Sequence, residues 1–313
     1  MKTITDQNIY IGISSCLLGN KVRYDGNHKE QRLITEKLST MFEFVPVCPE
    51  MAIGLGVPRK PIHLTGDEKS QRAVEVKNKD VDVTDQLVSF GTQKAMELDD
   101  ISGFIFKKGS PSCGLYSVKI YKSENQVLHK GTGLFTQQII QHNPLLPVEE
   151  EGRLNDETLR RNFLQRVEVY HRWNHLLKSG LSRGKIIDFH SRHKFLLLAH
   201  CEKTYRELGR LISQVASHDI DSFAGHYIAL LMEGLKKPET RNKHINVLQH
   251  IAGFFKGSLD KDDKQEFGQL IENYRNGVMP REALIAILKH YLRKFPNHYL
   301  HEQYYLSRSY SGI

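Results

Sequence analysis

The sequence predicts two structural classes in series: an α/β domain with a mostly parallel sheet over residues 1–147, then an all-α domain over residues 148–313. Three observations predict it. In the first half short apolar runs alternate with longer runs at helical spacing. After residue 152 proline becomes rare and helical spacing takes over. Three cysteines, Cys16, Cys48 and Cys113, each follow a strand-like run and sit among turn formers.

Taken in order, strands are expected near 8–15, 43–47, 72–76, 103–106 and 115–121, and helices near 30–41, 84–98 and 132–142. The segment from Asn143 to Gly152 holds Pro144 and Pro147 and then turns acidic, so it reads as the interdomain linker. Asn155 or Asp156 caps a helix over 156–178. Further helices fit 182–215 with a break, 219–234, 239–257, 261–275 and 280–295, the last opening at Pro280.

The sheet topology gives the cysteines their meaning. In an open α/β sheet the carboxyl ends of the strands form the ligand crevice, so three cysteines at strand ends can converge on one point. The sharpest of the three stretches is Lys107-Lys108-Gly109-Ser110-Pro111-Ser112-Cys113-Gly114, directly after the run Gly103-Phe104-Ile105-Phe106. Thiolates are soft donors that suit zinc, copper(I) or an iron–sulfur cluster, and three of them leave a tetrahedral site or a cubane one ligand short. Cys201 lies in an apolar helical run and reads as a small buried hydrophobe. Glu50, two residues after Cys48, is a carboxyl placed for proton transfer. Ser14, Ser15, Ser110 and Ser112 flank two of the cysteines as possible hydrogen-bond donors, and Asp25 reads as a turn aspartate.

Composition separates the halves. Residues 1–150 hold 18 Lys and Arg against 18 Asp and Glu, whereas residues 151–313 hold 26 against 18, so the whole formal charge of +8 belongs to the second half, as do 12 of the 16 histidines. A polyanion partner is the expectation for that half. Met1–Gln7 contains no apolar h-region, and no apolar run approaches the roughly 18 residues of a spanning helix. Four cysteines without a C-x-x-C pair do not make a disulfide framework. The expected location is the reducing cytoplasm.

Three segments resemble the 2-thiouracil desulfurase family: Ser15-Cys16-Leu17-Leu18-Gly19 through Arg23-Tyr24-Asp25-Gly26, Val47-Cys48-Pro49-Glu50 through Gly56-Val57-Pro58-Arg59, and Lys108-Gly109-Ser110-Pro111-Ser112-Cys113-Gly114. The resemblance covers about residues 8–145. It implies a 4Fe-4S cluster held by Cys16, Cys48 and Cys113, whose unligated iron takes the sulfur of a thiocarbonyl. It also makes Glu50 and Ser112, with Ser110 beside them, the candidates for proton transfer and substrate alignment in a hydrolytic reaction without net electron transfer.

The second half is similar to a helical domain of unknown function found behind such desulfurases, on Leu181-Ser182-Arg183-Gly184, Phe189 through Lys194, Tyr205 through Gly209 and His244 through His250. The fusion resembles bacterial desulfidases that convert 4-thiouridine in tRNA to uridine, which implies thiolated tRNA as substrate and partner. The basic excess agrees with RNA docking, with Arg183, Lys185, Arg192 and Lys194 as candidate phosphate contacts. Rival readings are a desulfurase of free 2-thiouracil or thionucleotides, a zinc-binding RNA module without activity, and an electron-transfer iron–sulfur protein.

Overall fold

A computed structural model describes residues 8–67, 70–123 and 126–307. Met1–Gln7, where no h-region was read, lies outside them. The chain divides into two compact units between Arg172 and Trp173.

The first unit contains two four-stranded sheets. One is parallel throughout, in the order β2 (Glu43–Val47), β1 (Tyr10–Ser14), β5 (Ile101–Phe106), β8 (Val148–Glu150). The other is mixed, in the order β4 (Arg72–Glu75), β3 (Ile62–Thr65), β6 (Val118–Ser123), β7 (Gln126–Gly131). Between the strands lie the single turn α1 (Pro49–Ala52), then α2 (Thr84–Glu97) and α3 (Leu134–His142).

β5 is buried along its whole length, as a central parallel strand covered on both faces must be. Phe104 and Phe106 stack with centroids 4.1 Å apart, and Ile11, Ile13 and Phe135 are equally inaccessible. Each such side chain contributes roughly 1.5–3 kcal/mol by leaving water. Gly12 makes the arrangement possible, because a Cβ there would fall 2.3 Å from the Phe104 ring.

Three departures from the sequence expectation have physical causes. The helix expected over 30–41 is instead a wide turn, Leu33–Lys37, and a tight one, Leu38–Thr40. Hydroxyls of Thr35, Ser39 and Thr40 bond back to the carbonyls of Gln31, Thr35 and Lys37 and compete with regular helix. Strands β3 and β7 were not expected, and β7 is largely exposed, so its apolar alternation is faint. The expected linker at 143–152, and with it the boundary at 147/148, is not where the chain divides. Val148–Glu150 pairs with β5 as a strand, and residues 157–172 of the helix α4 (Glu157–Lys178) belong to the first unit.

The second unit is helical, as predicted: α5 (Arg183–His200), α6 (Glu202–Ser213), α7 (Ile220–Leu235), α8 (Arg241–Gly253), α9 (Lys261–Arg275), α10 (Arg281–Lys294) and the single turns α11 (His298–His301) and α12 (Tyr304–Ser307). Side-chain caps start four of the long ones: Ser182, Asp219, Thr240 and Asp260 each accept a backbone N–H three residues on. The expected break in 182–215 falls at Cys201. Among the described residues no helix is long and apolar enough to cross a membrane.

Candidate active site

Strand order brings the cysteines together. β2, β1 and β5 are neighbours in one parallel sheet, and Cys48, Cys16 and Cys113 follow their carboxyl ends. Cys16 lies on the tight turn Ser15–Leu18, which ends at Gly19 with φ +88°. Cys48 is the N-cap residue of α1 and accepts from Ala52 N at 3.0 Å. Cys113 lies on the turn after β5. All three line one cavity of about 430 Å³, together with Ser14, Ser15, Ser110 and Ser112.

The thiols sense one another. Burial, with Cys48 and Glu151 adding to it against Lys107 and Arg23, pushes Cys16 up to about 11. Cys113 is pushed up more strongly by burial, with further increments from Cys48, Glu50 and Cys16, while a hydrogen bond with Ser14 acts the other way. Burial also raises Cys48. In so buried a pocket the three would give up their protons together only to a cation or a metal cluster placed among them.

The residues expected to handle protons line the same cavity. Ser112 Oγ donates to Glu50 Oε1 at 2.6 Å, and Ser110 Oγ lies 3.0 Å from Ser112 Oγ. Glu50 Oε2 accepts two bonds from Arg59, from Nη2 at 2.6 Å and Nε at 2.9 Å. The rest of the guanidinium is spent on backbone: Nη1 donates to Gly56 O at 2.8 Å and Nη2 to Val22 O at 3.0 Å. An arginine fork so fully engaged fixes the carboxylate in orientation. The fixed carboxylate also sets a direction. Ser112 spends its one proton on Glu50, so it must accept from Ser110, and Ser110 Oγ itself accepts from Cys113 N at 3.1 Å.

Two family models match the chain: 2-thiouracil desulfurase over residues 11–151, and a protein family of unknown function, DUF1722, over residues 194–309. Uncharacterized protein YbgA of Escherichia coli (strain K12) is 33% identical over 154 residues, covering 49% of this chain and 88% of that protein. Uncharacterized protein YbbK of Bacillus subtilis (strain 168) is 33% identical over 112 residues, covering 33% of this chain and 71% of that protein. The chain belongs to the 2-thiouracil desulfurase family. A solved structure of the 4Fe-4S-dependent thiouracil desulfidase TudS is 30% identical, covers 48% of this chain and 94% of its own, and has a TM-score of 0.37.

The desulfurase-family loop that carries Ser110, Ser112 and Cys113 is held from two sides. The first turn of α3 lends its otherwise orphaned N–H groups: Leu134 N donates to Pro111 O at 3.1 Å and Thr136 N to Ser112 O at 3.3 Å, while Gly133 N donates to Gly114 O at 2.8 Å. Gly133 is required there, since a Cβ would fall 2.4 Å from Ser112 O. From the other side Glu150 accepts from Leu115 N at 3.0 Å and Tyr116 N at 3.1 Å. Glu151 accepts from Lys108 N at 2.7 Å and from the Lys107 ammonium. Glu149, Glu150 and Glu151 are all buried. The sequence reads this acidic run as the end of the interdomain linker, and it does not single out Arg59 although the residue closes a family segment.

Other candidates fall outside the cavity. Asp25 is a turn residue, accepting from Asn27 N at 3.1 Å. Arg183 donates to Val215 O at 3.2 Å and His218 O at 3.1 Å, and Lys185 to Ser179 O and Gly180 O, both at 2.7 Å. Arg192 bridges Asp188 at 2.8 Å and Glu302 at 3.1 Å, and the Lys194 ammonium stands over the Tyr205 ring, 5.9 Å from its centroid. Arg183 and Lys185 remain exposed, whereas Arg192 and Lys194 are half-buried. His190 and His193 are buried in hydrogen bonds with Tyr227 and the Phe189 carbonyl. Cys201 is no mid-helix hydrophobe: it caps α6, and Thr204 Oγ1 at 3.3 Å and Lys237 Nζ at 3.6 Å lie against its sulfur. Burial raises that thiol, but Thr204 and Lys237 outweigh it and lower it overall.

Proposed function

We propose that the protein is an iron–sulfur desulfidase that removes sulfur from 4-thiouridine in tRNA, leaving uridine and hydrosulfide. The observation that carries this reading is the convergence of Cys16, Cys48 and Cys113 on one cavity whose wall also holds the Arg59–Glu50–Ser112 array. Those cysteines would hold a 4Fe-4S cluster. Three soft thiolate donors from separate loops on one cavity fit such a cluster, which spreads its ligands over separate corners.

When bound, the cluster supplies a soft iron site for thiocarbonyl sulfur, which a hard oxygen-ligated site would not. The chain's residues do the rest. Glu50, held open toward Ser112 by Arg59, takes a proton from the attacking water and returns it as the C–S bond breaks. The water's oxygen replaces the sulfur, so no electrons are gained or lost. Ser110 and Ser112 align the substrate and extend the reach of Glu50 by two hydroxyls.

The excess of basic residues in the second half supports RNA docking there, with exposed Arg183 and Lys185 the stronger contacts and Arg192 and Lys194 the weaker. The internal engagement of all four favours a second reading, desulfuration of a free thiolated pyrimidine by the first unit alone. The deciding test is anaerobic purification with iron, zinc and sulfide assays, followed by paired turnover on thiolated tRNA and on the thiolated mononucleotide. Cluster-loaded protein that desulfurates tRNA steeply faster at low salt supports the first reading. Equal tRNA turnover after charge reversal at Arg183, Lys185, Arg192 and Lys194 supports the second.

A further inference from the structure

Two stretches of the helical unit contain no Asp or Glu. They are residues 240–259, which hold α8 and the turn after it, and residues 283–301, which hold most of α10 and all of α11, although the whole chain has 36 acidic residues in 313. Between them they carry Arg241, Lys243, Lys256, Lys289, Arg293 and Lys294, with five of the 16 histidines. The dipole of α10 favours cations at its carboxyl end, which accounts for Arg293 and Lys294 in the last turn. It does not account for two whole stretches without a carboxylate.

Packing brings the stretches together. At the end of α8 the Phe255 ring lies 6.0 Å from that of Tyr291 in α10, and the Phe254 ring stacks on Tyr299 of α11 with centroids 5.4 Å apart and planes at 23°. Buried Phe195 meets both members of that stack edge-on, at 6.2 and 6.0 Å, and so fixes them from the core side. Phe255 is buried whereas Phe254 is 46% exposed, so one ring of the pair anchors the turn and the other faces solvent. Lys256, Arg293 and Lys294 are exposed and form no salt bridge among the described residues. Toward α9 the patch ends, since burial and then the charges of Asp263, Glu266 and Asp260 push the Tyr291 phenol up. Toward α6 it continues: Tyr299 is pushed up by burial and then by Tyr205, whose ring lies under the Lys194 ammonium.

The cations of α5 are placed differently, because Arg183, Lys185 and Arg192 are spent on carbonyls and carboxylates of the unit itself. An exposed ring on a rigid base, flanked by uncompensated cations, matches a nucleic-acid strand with a base turned out of its stack. Every base offers a π-face and every phosphate a charge.

We infer that the end of α8, with α10 and α11, forms the RNA-docking face of the helical unit, where Phe254 takes an unpaired base and Lys256, Arg293 and Lys294 take the neighbouring phosphodiesters. This inference rests on the tRNA desulfidase reading and sharpens it: the stacking contact lies on this face, leaving long-range attraction to the cations of α5.

The test uses full-length, cluster-loaded protein and measures binding of a fluorescent single-stranded RNA and of the matching duplex over a range of salt, beside turnover on thiolated tRNA. The triple variant Lys256→Glu/Arg293→Glu/Lys294→Glu should weaken strand binding about tenfold at low salt and lower the log–log salt slope by about 2, three contacts at roughly 0.7 each. Lys203→Glu/Arg210→Glu/Lys236→Glu changes the net charge equally at exposed positions elsewhere in the unit and should leave the slope nearly unchanged. Phe254→Leu keeps the packing on Phe195 and removes the flat ring, so it should weaken the strand about tenfold while sparing the duplex and the slope. Phe254→Trp should restore strand binding, and its indole emission, measured against the single native Trp173, should be quenched by the strand. Equal losses in the two triple variants, or unaltered strand binding by Phe254→Leu, overturn the docking face. Quenching of the Phe254→Trp indole by RNA without any turnover of thiolated tRNA keeps the face and overturns the desulfidase reading. Turnover of thiolated tRNA that the first triple variant leaves unchanged at every salt concentration does the reverse.

Discussion

Each unit contains a shielded carboxylate beside an arginine, and the two are built to opposite ends. In the first unit Glu50 spends one oxygen on the Arg59 fork and turns the other toward Ser112, with three thiols and a solvent-connected cavity next to it. In the second, Glu239 is closed on every side. His200 approaches to 3.5 Å, His244 to 3.4 Å and Arg281 to 3.7 Å, and Tyr305 OH lies 3.0 Å from His244 Nδ1. Burial pushes Glu239 up, but His200, His244 and Arg281 outweigh it and hold it ionised. A half-open pair can pass a proton. A sealed one can only tie its helices and the loop before α8 together.

The comparison predicts where substitution costs activity and where it costs stability. The largest effect belongs to the thiols. Cys16→Ala, Cys48→Ala or Cys113→Ala should each abolish the cluster's absorbance and the turnover, while Cys201→Ala keeps both. A full cluster in any of the three would remove that residue from the ligand set. Next stands Glu50→Gln, which keeps the shape and removes the acceptor of protons. It should hold a normal cluster and lower turnover by about 10²–10⁴-fold, read in single-turnover assays. Arg59→Lys retains the charge without the fork, so it should lower kcat with little change in KM, whereas a merely structural arginine would leave their ratio to the unaltered enzyme alone.

In the sealed pair the same kind of change should act on folding. Glu239→Gln leaves buried Arg281 with only the more exposed Glu282, 3.4 Å away, as counter-charge, at a cost of up to about 3–5 kcal/mol of stability. Denaturant unfolding would measure it, and cluster content and turnover per cluster should stay normal in the folded fraction. A drop in turnover without a drop in stability would mean that the helical unit takes part in the chemistry.

Much of the site was legible because turns announce themselves. Glycine, proline and serine around Cys16, Cys48 and Cys113 place those residues after strands, and parallel order then brings them together. What composition could not give was compensation. Glu149, Glu150 and Glu151 read as the acidic end of a linker, yet backbone N–H groups of the Cys113 loop and the side chains of Lys107 and Arg153 satisfy them in the interior. Arg59 was invisible as a partner because its contact with Glu50 depends on how the chain returns nine residues later. Likewise the cations of α5 were counted as free charge, although helix-end carbonyls and nearby carboxylates occupy them.

The smallest expected effect tests the helical unit where no counter-charge was built. His190 is 6% exposed, with Nδ1 3.3 Å from Tyr227 OH, and burial followed by the nearby Lys194 ammonium pushes it down to about 4. A histidine with a depressed native pKa takes up its proton more readily when unfolded. Stability is therefore whole above the unfolded value of about 6.5 and is lost as pH falls through the window from about 6.5 to about 4. Between about pH 7.5 and pH 4.5 this single group should cost about 2–3 kcal/mol. His200, pushed down by its own burial, adds in the same direction, so the measurement is a difference. His190→Gln keeps a partner for Tyr227 and removes the titration, and unfolding curves at the two pH values should show the variant losing about 2–3 kcal/mol less than the unaltered protein. Identical losses in both would mean that His190 is protonated as easily in the folded chain as in the unfolded one, and that burial without a counter-charge does not govern this helix.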